Sequence, residues 1–234
     1  MAYDPRDVID RSRLPSPIAI DGPAASGKST LGHALAEEFG YTFLDTGLMY
    51  RAFTLAALRE GVLATDETAC TLLAETVGMR VEAGETTVIF LDHEDVTEWL
   101  RSPEVEANVS AYSAIRGVRE ELVRKQREIA CTGPVVLAGR DIGTVVLPDA
   151  PLKFYLVASE DARARRRAAQ AGAWGVNQRT GDAHRDIAGR DTVDSSRAAS
   201  PLRAASDAIV VDTTDMGLQD VVDLVLERVR CAAS

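Results

Sequence analysis

Residues 17–30 have the sequence PIAIDGPAASGKST, in which a short apolar run leads into a glycine-rich turn. The turn matches the pattern G-x-x-x-x-G-K-[ST] over its full length, from Gly22 to Ser29. After it, apolar residues recur at helical spacing as far as Gly40. A strand, a glycine-rich turn and a helix in this order are typical of a phosphate-binding loop, because backbone N–H groups and the helix N-terminus surround the anion there.

The loop predicts a site for a nucleoside triphosphate. Lys28 is expected to reach the β and γ phosphates, and the Ser29 hydroxyl is expected to bind Mg²⁺. The alternative is a glycine-rich turn that binds nothing, and the strand–helix context argues against it. The residues expected to contact ATP in this loop are Gly22, Pro23, Ala24, Ala25, Ser26, Gly27, Lys28, Ser29 and Thr30.

The rest of the chain alternates short apolar runs with helical stretches. After the first strand at 17–21, further strands are predicted at 41–45, 134–138, 152–157 and 208–211. Helices are predicted over about 48–60 and 218–229. Five apolar strands separated by helices predict an α/β protein with a five-stranded parallel sheet, right-handed crossovers and a three-layer α/β/α arrangement.

One segment breaks this alternation. A helix over 67–77 precedes two alternating runs, 80–83 and 87–91, which are joined through Gly84-Glu85 and predict a β-hairpin. An antiparallel unit within a parallel-sheet protein is most simply an inserted lobe. The expected organisation is therefore a flexible tail at 1–14, a core of residues 15–63 and 112–234, and an inserted lobe at 64–111.

Composition argues against several classes of protein. The 234 residues include 26 Lys and Arg against 36 Asp and Glu, and a net charge of −10 disfavours general nucleic-acid binding. No apolar run reaches the roughly 18 residues of a membrane helix, and the first fourteen residues lack the apolar segment of a signal peptide. Three separated cysteines and three scattered histidines form no disulfide framework or zinc motif. We expect a cytoplasmic monomer without a nucleic-acid or membrane partner.

Two motifs that follow predicted strands carry candidates for a second anion site. In DTGLMYR, residues 45–51, Thr46 can donate to a phosphate oxygen and Arg51 can bind it through two N–H groups. The alternative for this motif alone is an N-cap threonine and a surface arginine. The sequence GRDIGT at 139–144 follows the third strand, and so it is expected at the same edge of the sheet.

A cluster of arginines follows the fourth strand. Arg163 and Arg167 are one helical turn apart and share a face, with Arg166 beside them. A solvated basic helix face is the alternative, and we favour it for Arg165. A small kinase needs arginines that surround the transferred group and a second set that binds the acceptor. No N/T-K-x-D motif of a GTPase occurs in the chain.

In this order and spacing, the motifs resemble those of the bacterial-type cytidylate kinases. The resemblance runs from Ile18 to near the C-terminus and covers IDGPAASGKST, LDTGLMYR, SPEVEANVSAYSAIRGVRE, GRDIGTVVLPDAPLKFYLVAS, RD-x-x-D-x-x-R and DAIVVDTT. It implies a P-loop kinase with an inserted lobe that binds the monophosphate and an arginine-rich lid at about 161–197. It also implies transfer of the γ-phosphoryl group of ATP to CMP or dCMP with Mg²⁺ as cofactor.

The resemblance also implies a role for each matching residue. The monophosphate is expected to be held by Thr46, Arg51 and Arg140, and the cytosine by Ser110, Arg119 and Asp141. The sugar hydroxyls are expected to be held by Arg190 and Asp194, with Arg197 adding to the base pocket. The lid arginines over ATP are Arg163, Arg166 and Arg167. The catalytic set is Lys28, Arg140, Arg163 and Arg167. Because this chain has Ala138 where several members of the family have an acid, we expect Ser29 and, through water, Asp45 to hold the metal.

Two alternatives to a cytidylate kinase stay open. The first is another small P-loop kinase that acts on UMP, on a different monophosphate or on a small alcohol such as shikimate. The second is a degenerate kinase that binds nucleotide without turnover. It is encouraged by Ala138, because several members of the family carry Asp or Glu immediately before the Gly-Arg-Asp triplet. The intact arginine motifs oppose this second alternative.

Base selectivity provides a first test. Asp141 can accept from the exocyclic amine of cytosine, and Arg119 and Ser110 can donate to N3 and O2. Uracil has a carbonyl in place of the amine, so two acceptors would face each other at a cost of roughly 1–3 kcal/mol for each unpaired group. We predict that kcat/KM for CMP and dCMP exceeds that for UMP by roughly ten- to a hundredfold or more. An equal kcat/KM for UMP would contradict this assignment.

Overall fold

The structure is a computed structural model that describes residues 13–84, 87–173, 181, 184, 187–189, 191–192 and 202–233. The strands are β1 (Ile18–Asp21), β2 (Thr42–Asp45), β3 (Met79–Glu82), β4 (Val88–Leu91), β5 (Glu94–Asp95), β6 (Val135–Gly139), β7 (Leu152–Val157) and β8 (Ile209–Asp212). The helices are α1 (Lys28–Phe39), α2 (Thr46–Arg59), α3 (Glu67–Thr76), α4 (Pro103–Ala114), α5 (Arg116–Ala130), α6 (Glu160–Ala173) and α7 (Leu218–Ala232). A 3-10 helix covers Thr97–Arg101, and a π-helical turn covers Ile142–Val146.

Five strands form one sheet in the order β2-β6-β1-β7-β8, and each neighbouring pair is parallel. The predicted five-stranded parallel sheet is therefore confirmed. In the register, Asp21 at the end of β1 lies beside Gly139, and Asp45 at the end of β2 lies beside Ala138. Because the strands are parallel, the chain segments that follow β1, β2 and β6 all emerge at one edge of the sheet.

Helices cover both faces of this sheet. On one face, α1 and α7 bury an apolar cluster that includes Ile20, Leu31, Leu35, Phe154 and Val225. On the other face, α2, α4 and α5 bury a second cluster that includes Leu44, Phe53, Val109, Leu122 and Leu137. The expected three-layer α/β/α arrangement is thus observed. Among the helices that the structure describes, each is too short or too polar to cross a lipid bilayer.

The predicted hairpin forms part of a second, antiparallel sheet of order β3-β4-β5. The strand β5 was not predicted, because its two acidic residues carry no alternating apolar pattern. Positive φ angles at Asp92 and His93 (45° and 75°) make the tight turn before it. Of the predicted hairpin turn, Glu85 lies outside the described residues.

The hairpin is joined to the main sheet at the end of β2. The Thr87 hydroxyl donates to the Phe43 carbonyl at 3.0 Å and accepts from the Asp45 N–H at 3.1 Å. Apolar residues of the segment, such as Ile89 and Leu100, belong to the same buried cluster as the helices on that face. The segment expected to form an inserted lobe, 64–111, therefore shares its core with the parallel sheet, and its expected end falls within α4.

The packing of α1 on β2 depends on a glycine. A methyl group at Gly32 would lie 2.1 Å from a ring carbon of Phe43, which is fully buried. We predict that Gly32→Ala lowers the free energy of unfolding by about 1–3 kcal/mol, because the overpacked ring must move. Urea denaturation measures the change.

The matched control is Gly172→Ala in α6, where no described atom outside the glycine's own stretch of helix lies within 4 Å of an added methyl group. Alanine is favoured over glycine in a helix by about 1 kcal/mol, so this control should keep or gain stability. Equal effects of the two substitutions would show that the Phe43 contact does not limit the packing.

Candidate active site

The phosphate loop joins β1 to α1 through residues with unusual backbone angles. Gly22 has φ of 149°, and a methyl group there would lie 2.4 Å from the carbonyl oxygen of Leu156. Gly27 has φ of 100° and is the N-cap of α1. Lys28 begins this helix, and its ammonium donates to the Pro23 carbonyl at 2.7 Å. The lysine thus lies across the loop, at the helix N-terminus that is expected to receive the phosphates.

Polar atoms in and beside the loop fit the phosphates and the metal. The Ser26 hydroxyl is buried and has no hydrogen-bond partner among the described residues, as a group awaiting an anionic oxygen would be. The Ser29 hydroxyl donates to Asp45 Oδ2 at 2.8 Å. A hydroxyl and a carboxylate are oxygen ligands of the kind that Mg²⁺ prefers when phosphates and waters complete its shell. The two residues therefore fit the expected metal position.

The first residues of α2 face the loop that follows β6. Asp45 is the N-cap of α2 and accepts from the Gly47 N–H at 3.0 Å, so the alternative of an N-cap threonine is wrong. The Thr46 hydroxyl donates to the Ala138 carbonyl at 2.9 Å and is buried. In this arrangement its single hydrogen is directed to the strand, and donation to a phosphate requires rotation of the hydroxyl.

Arg51 is a buried arginine, 8% exposed, which excludes the alternative of a surface arginine. Its Nη1 donates to the Leu100 carbonyl at 3.1 Å and to Glu106 Oε1 at 2.7 Å. A buried guanidinium with acceptors on one nitrogen is held in a fixed orientation. Such an orientation is what recognition of a phosphate by two parallel N–H groups requires.

The loop after β6 is tied to the start of the phosphate loop. Arg140 Nη1 donates to the Gly22 carbonyl at 3.4 Å. The Asp21 carboxylate accepts from the Ile142 and Gly143 N–H groups, each at 2.7 Å. Since Asp21 directly precedes Gly22, these contacts fix the candidate acceptor arginine relative to the ATP loop.

Two of the three expected base-binding residues, Arg119 and Asp141, are in direct contact. Arg119 Nη2 donates to Asp141 Oδ2 at 2.5 Å, and Nη1 donates to the Ser113 carbonyl at 3.2 Å. The guanidinium lies over the Tyr50 ring at 5.2 Å. Ser110 is half-buried on α4, and its carbonyl accepts from the Ser113 hydroxyl. A buried arginine–aspartate pair offers both donors and acceptors, which is the complement that a cytosine edge needs.

Two arginines of α6 face the site. Buried Arg163 donates to Asp191 Oδ2 at 2.5 Å and to the Ala24 carbonyl of the phosphate loop at 3.4 Å. Arg167 Nη2 lies 2.9 Å from Glu106 Oε1. These two side chains thus reach the triphosphate loop and the surroundings of Arg51, respectively.

The other two arginines of α6 are placed differently. Arg166 donates to the hydroxyl of Thr213 at 2.9 Å and to its carbonyl at 2.5 Å. The Thr213 hydroxyl lies 3.1 Å from the Val157 carbonyl and 3.4 Å from the Ser26 carbonyl, so Arg166 contacts a threonine that lies against the phosphate loop. Arg165 is exposed, as expected.

Several expected site residues, and much of the expected lid, fall where the structure gives no description. Arg190, Asp194 and Arg197 lie outside the described residues. So do residues 1–12 of the expected N-terminal tail.

Sequence reasoning missed four charged residues of the site, namely Asp21, Arg101, Glu106 and Asp191. Asp21 and Asp191 each adjoin a recognised motif residue, which was the available signal. Glu106 and Arg101 lie in or next to SPEVEANVS, where an acidic residue and an arginine look like ordinary solvated charges.

Asp21 is buried beside the phosphate loop. Burial raises the pKa of Asp21 to about 6, and the nearby charge of Asp141 adds to the increase. The hydrogen bonds from Gly143 and Ile142 and the charge of Lys28 act in the opposite direction. The two backbone donors favour the ionised form, so this carboxylate remains charged at neutral pH although it is buried.

Comparison with known proteins places these features in a family. A family model described as Cytidylate kinase matches residues 18–231. A cytidylate kinase of Limosilactobacillus reuteri is 47% identical over 207 residues, which cover 88% of this chain and 91% of the relative. A cytidylate kinase of Bacillus pumilus is 47% identical over 211 residues, which cover 90% of this chain and 94% of the relative. A gluconokinase structure from Sinorhizobium meliloti shares the fold at a TM-score of 0.52, with 17% identity over 94% and 95% of the chains.

The pKa of Asp21 predicts a specific pH dependence of stability. Because this pKa is about 6 in the native protein and 3.8 ordinarily, the native state binds the proton more tightly than the unfolded state. The contribution of the Asp21 carboxyl group to the free energy of unfolding is therefore greatest below about pH 4 and is lost as the pH rises through 6. We predict that Asp21→Asn removes a decrease of about 2 kcal/mol in the free energy of unfolding between pH 4 and 7. Urea denaturation at pH 4, 5, 6 and 7 measures it.

Asp212→Asn is the matched control, because Asp212 also ends a strand of the same sheet. Hydrogen bonds from Thr214 lower the pKa of Asp212, so this substitution should leave the Asp21 decrease in place. If Asp21→Asn and the wild type show parallel pH profiles, the proposed environment of Asp21 is wrong.

Proposed function

The chain belongs to the cytidylate kinase family, and on that premise we propose that it transfers the γ-phosphoryl group of ATP to CMP or dCMP, giving ADP and CDP or dCDP. The observation that carries this proposal is the contact between Arg140 and the Gly22 carbonyl. It joins an arginine of the acceptor motif to the first residue of the ATP loop. An acceptor arginine 3.4 Å from the backbone of the ATP loop suits direct transfer between two bound nucleotides.

The reaction needs no general base, because the attacking oxygen belongs to a phosphate that is already anionic. Catalysis then consists of alignment and of stabilising the charge on the transferred group. Lys28 and Arg163 are proposed to act on the ATP side, and Arg51 and Arg140 on the acceptor side. Arg167 is proposed to act between them. These cations offset the repulsion between the two anions.

The metal and the nucleotide contacts extend this proposal. Mg²⁺ bound with ATP would neutralise charge on the phosphate oxygens. Ser29 would hold it directly and Asp45 through water. Thr46 is proposed to join Arg51 and Arg140 at the monophosphate. For the base we propose Ser110, Arg119 and Asp141, and for the sugar Arg190 and Asp194, with Arg197 beside the base.

Buried Arg51 and half-buried Arg140 on the acceptor side argue against an alcohol kinase, which would need a base near its acceptor and no second phosphate clamp. The likeness to the gluconokinase is at 17% identity and concerns the fold. A nucleotide-binding protein without turnover is opposed by the same arginines, and formation of ADP that depends on CMP would exclude it. That the enzyme is a cytoplasmic monomer without other macromolecular partners remains a prediction.

Arg51→Ala tests the division between the two sites. The substitution removes the acceptor clamp, so KM for CMP should rise roughly 30-fold or more, as expected when one partner of a buried ionic contact is lost. The affinity for ATP should stay within about twofold, because in the structure Arg51 contacts Leu100 and Glu106 and not the phosphate loop. Steady-state kinetics with CMP and calorimetry with an ATP analogue measure the two effects.

The control is Arg59→Ala at the other end of α2, where the exposed arginine pairs with Glu94. It should change neither parameter by more than about twofold, since exposed ion pairs contribute little. Equal losses of CMP and ATP binding in Arg51→Ala would mean that Arg51 supports the structure of both binding sites and does not act at the acceptor site alone.

A further inference from the structure

One carboxylate oxygen joins the two sides of the site. Glu106 Oε1 on α4 lies 2.7 Å from Arg51 Nη1 of α2 and 2.9 Å from Arg167 Nη2 of α6. Arg51 belongs to the proposed acceptor clamp, and Arg167 belongs to the proposed lid. Glu106 itself is placed in neither group by the proposed function. A single side chain therefore connects three helices at the position where the acceptor phosphate is expected.

The hydrogen bonds of Arg51 indicate that Glu106 stays in place when the acceptor binds. Both N–H groups of Nη1 are accounted for by the Leu100 carbonyl at 3.1 Å and by Glu106. The guanidinium presents its remaining donors, on Nη2 and Nε, on another side. A phosphate can therefore bind Arg51 without displacing the carboxylate.

The charges around Glu106 explain why a carboxylate is needed there. Loss of hydration lowers the pKa of the nearby Arg101, and the charges of Arg51 and Arg167 lower it further. The charges of Asp45 and Glu106 act in the opposite direction. Three guanidinium groups thus lie within electrostatic range of one another. Without the negative charge of Glu106, Arg167 would be repelled from the acceptor clamp when no phosphate is present.

The opposite side of the site repeats this arrangement. Asp191 Oδ2 accepts from Arg163 of α6 at 2.5 Å, and Oδ1 lies 3.8 Å from Arg140 Nη1. Here again one carboxylate lies between an α6 arginine and an acceptor arginine. The repetition supports a general role for these carboxylates as counter-charges between the lid helix and the acceptor site.

We infer that Glu106 is a positioning residue that couples binding of the acceptor phosphate at Arg51 to the placement of Arg167 over the transferred group. This inference rests on the proposed function and adds a residue to it. Because Arg51 and Arg167 share one oxygen, ordering of either guanidinium orders the other. Acceptor and ATP should therefore bind synergistically, each increasing the affinity for the other by the same factor.

Titration calorimetry tests the coupling directly. The dissociation constant for CMP is measured with and without saturating Mg²⁺ and the β,γ-imido analogue of ATP. In the wild type we expect the analogue to tighten CMP binding by about 5- to 50-fold, within the usual range for coupled sites. In Glu106→Gln, which keeps the shape and removes the charge, this factor should fall to about twofold or less. The affinity for the analogue alone should change by no more than about twofold.

Two further variants control this experiment. Glu104→Gln makes the same substitution at an exposed position on the same helix and should keep the wild-type coupling factor. Glu106→Asp keeps the charge on a side chain one methylene shorter, which cannot reach both arginines, and should also lose coupling. An unchanged factor in Glu106→Gln or in Glu106→Asp would overturn the inference, as would an equal loss in Glu104→Gln.

Failure of the proposed function gives a different pattern. If the wild type binds no CMP and forms no ADP in its presence, the acceptor assignment itself is wrong. If the wild type phosphorylates CMP but its coupling factor is the same in Glu106→Gln, only the role of Glu106 is overturned.

Discussion

The Asp21 carboxylate holds together the two loops on which the whole site depends. It ends β1, directly before the phosphate loop, and it accepts the N–H groups of Ile142 and Gly143 in the loop after β6. Burial of an ionised carboxylate is costly, and two backbone donors at 2.7 Å offset part of that cost. The result is a fixed relation between the ATP loop and Arg140. A phosphoryl transfer enzyme needs this, because misplacement by about 1 Å can cost a hundredfold in rate.

Around this fixed point, the site balances arginines with carboxylates. Glu106 lies between Arg51 and Arg167, and Asp191 lies between Arg163 and Arg140. Each carboxylate keeps cations close together that would otherwise repel one another. The whole chain has a net charge of −10, but the local charge of the site is positive. Two anionic nucleotides can enter it because the cations are already assembled, so little of their binding energy is spent on reorganisation.

The sequence was sufficient to predict the phosphate loop and the five-stranded sheet, because glycine spacing and buried apolar runs are local signals. It also pointed to Arg51 and Arg140 as candidates for an anion site, since each lies in a motif that follows a strand ending at the same edge of the sheet. It did not reveal which partner each side chain would have. Thr46 binds the Ala138 carbonyl and Arg166 binds Thr213, and both contacts join residues far apart in the chain. Such choices depend on tertiary packing, for which periodicity contains no information.

The most direct test of two facing anion sites is a crystal structure of the protein with CMP and the β,γ-imido analogue of ATP bound together. The CMP phosphate should contact Arg51 and Arg140, with one of its oxygens about 3–3.5 Å from the γ-phosphorus of the analogue. Asp141 and Arg119 should contact the base. A CMP phosphate bound away from both arginines, or separated from the γ-phosphorus by more than a side chain's length, would contradict the proposed arrangement of the two sites.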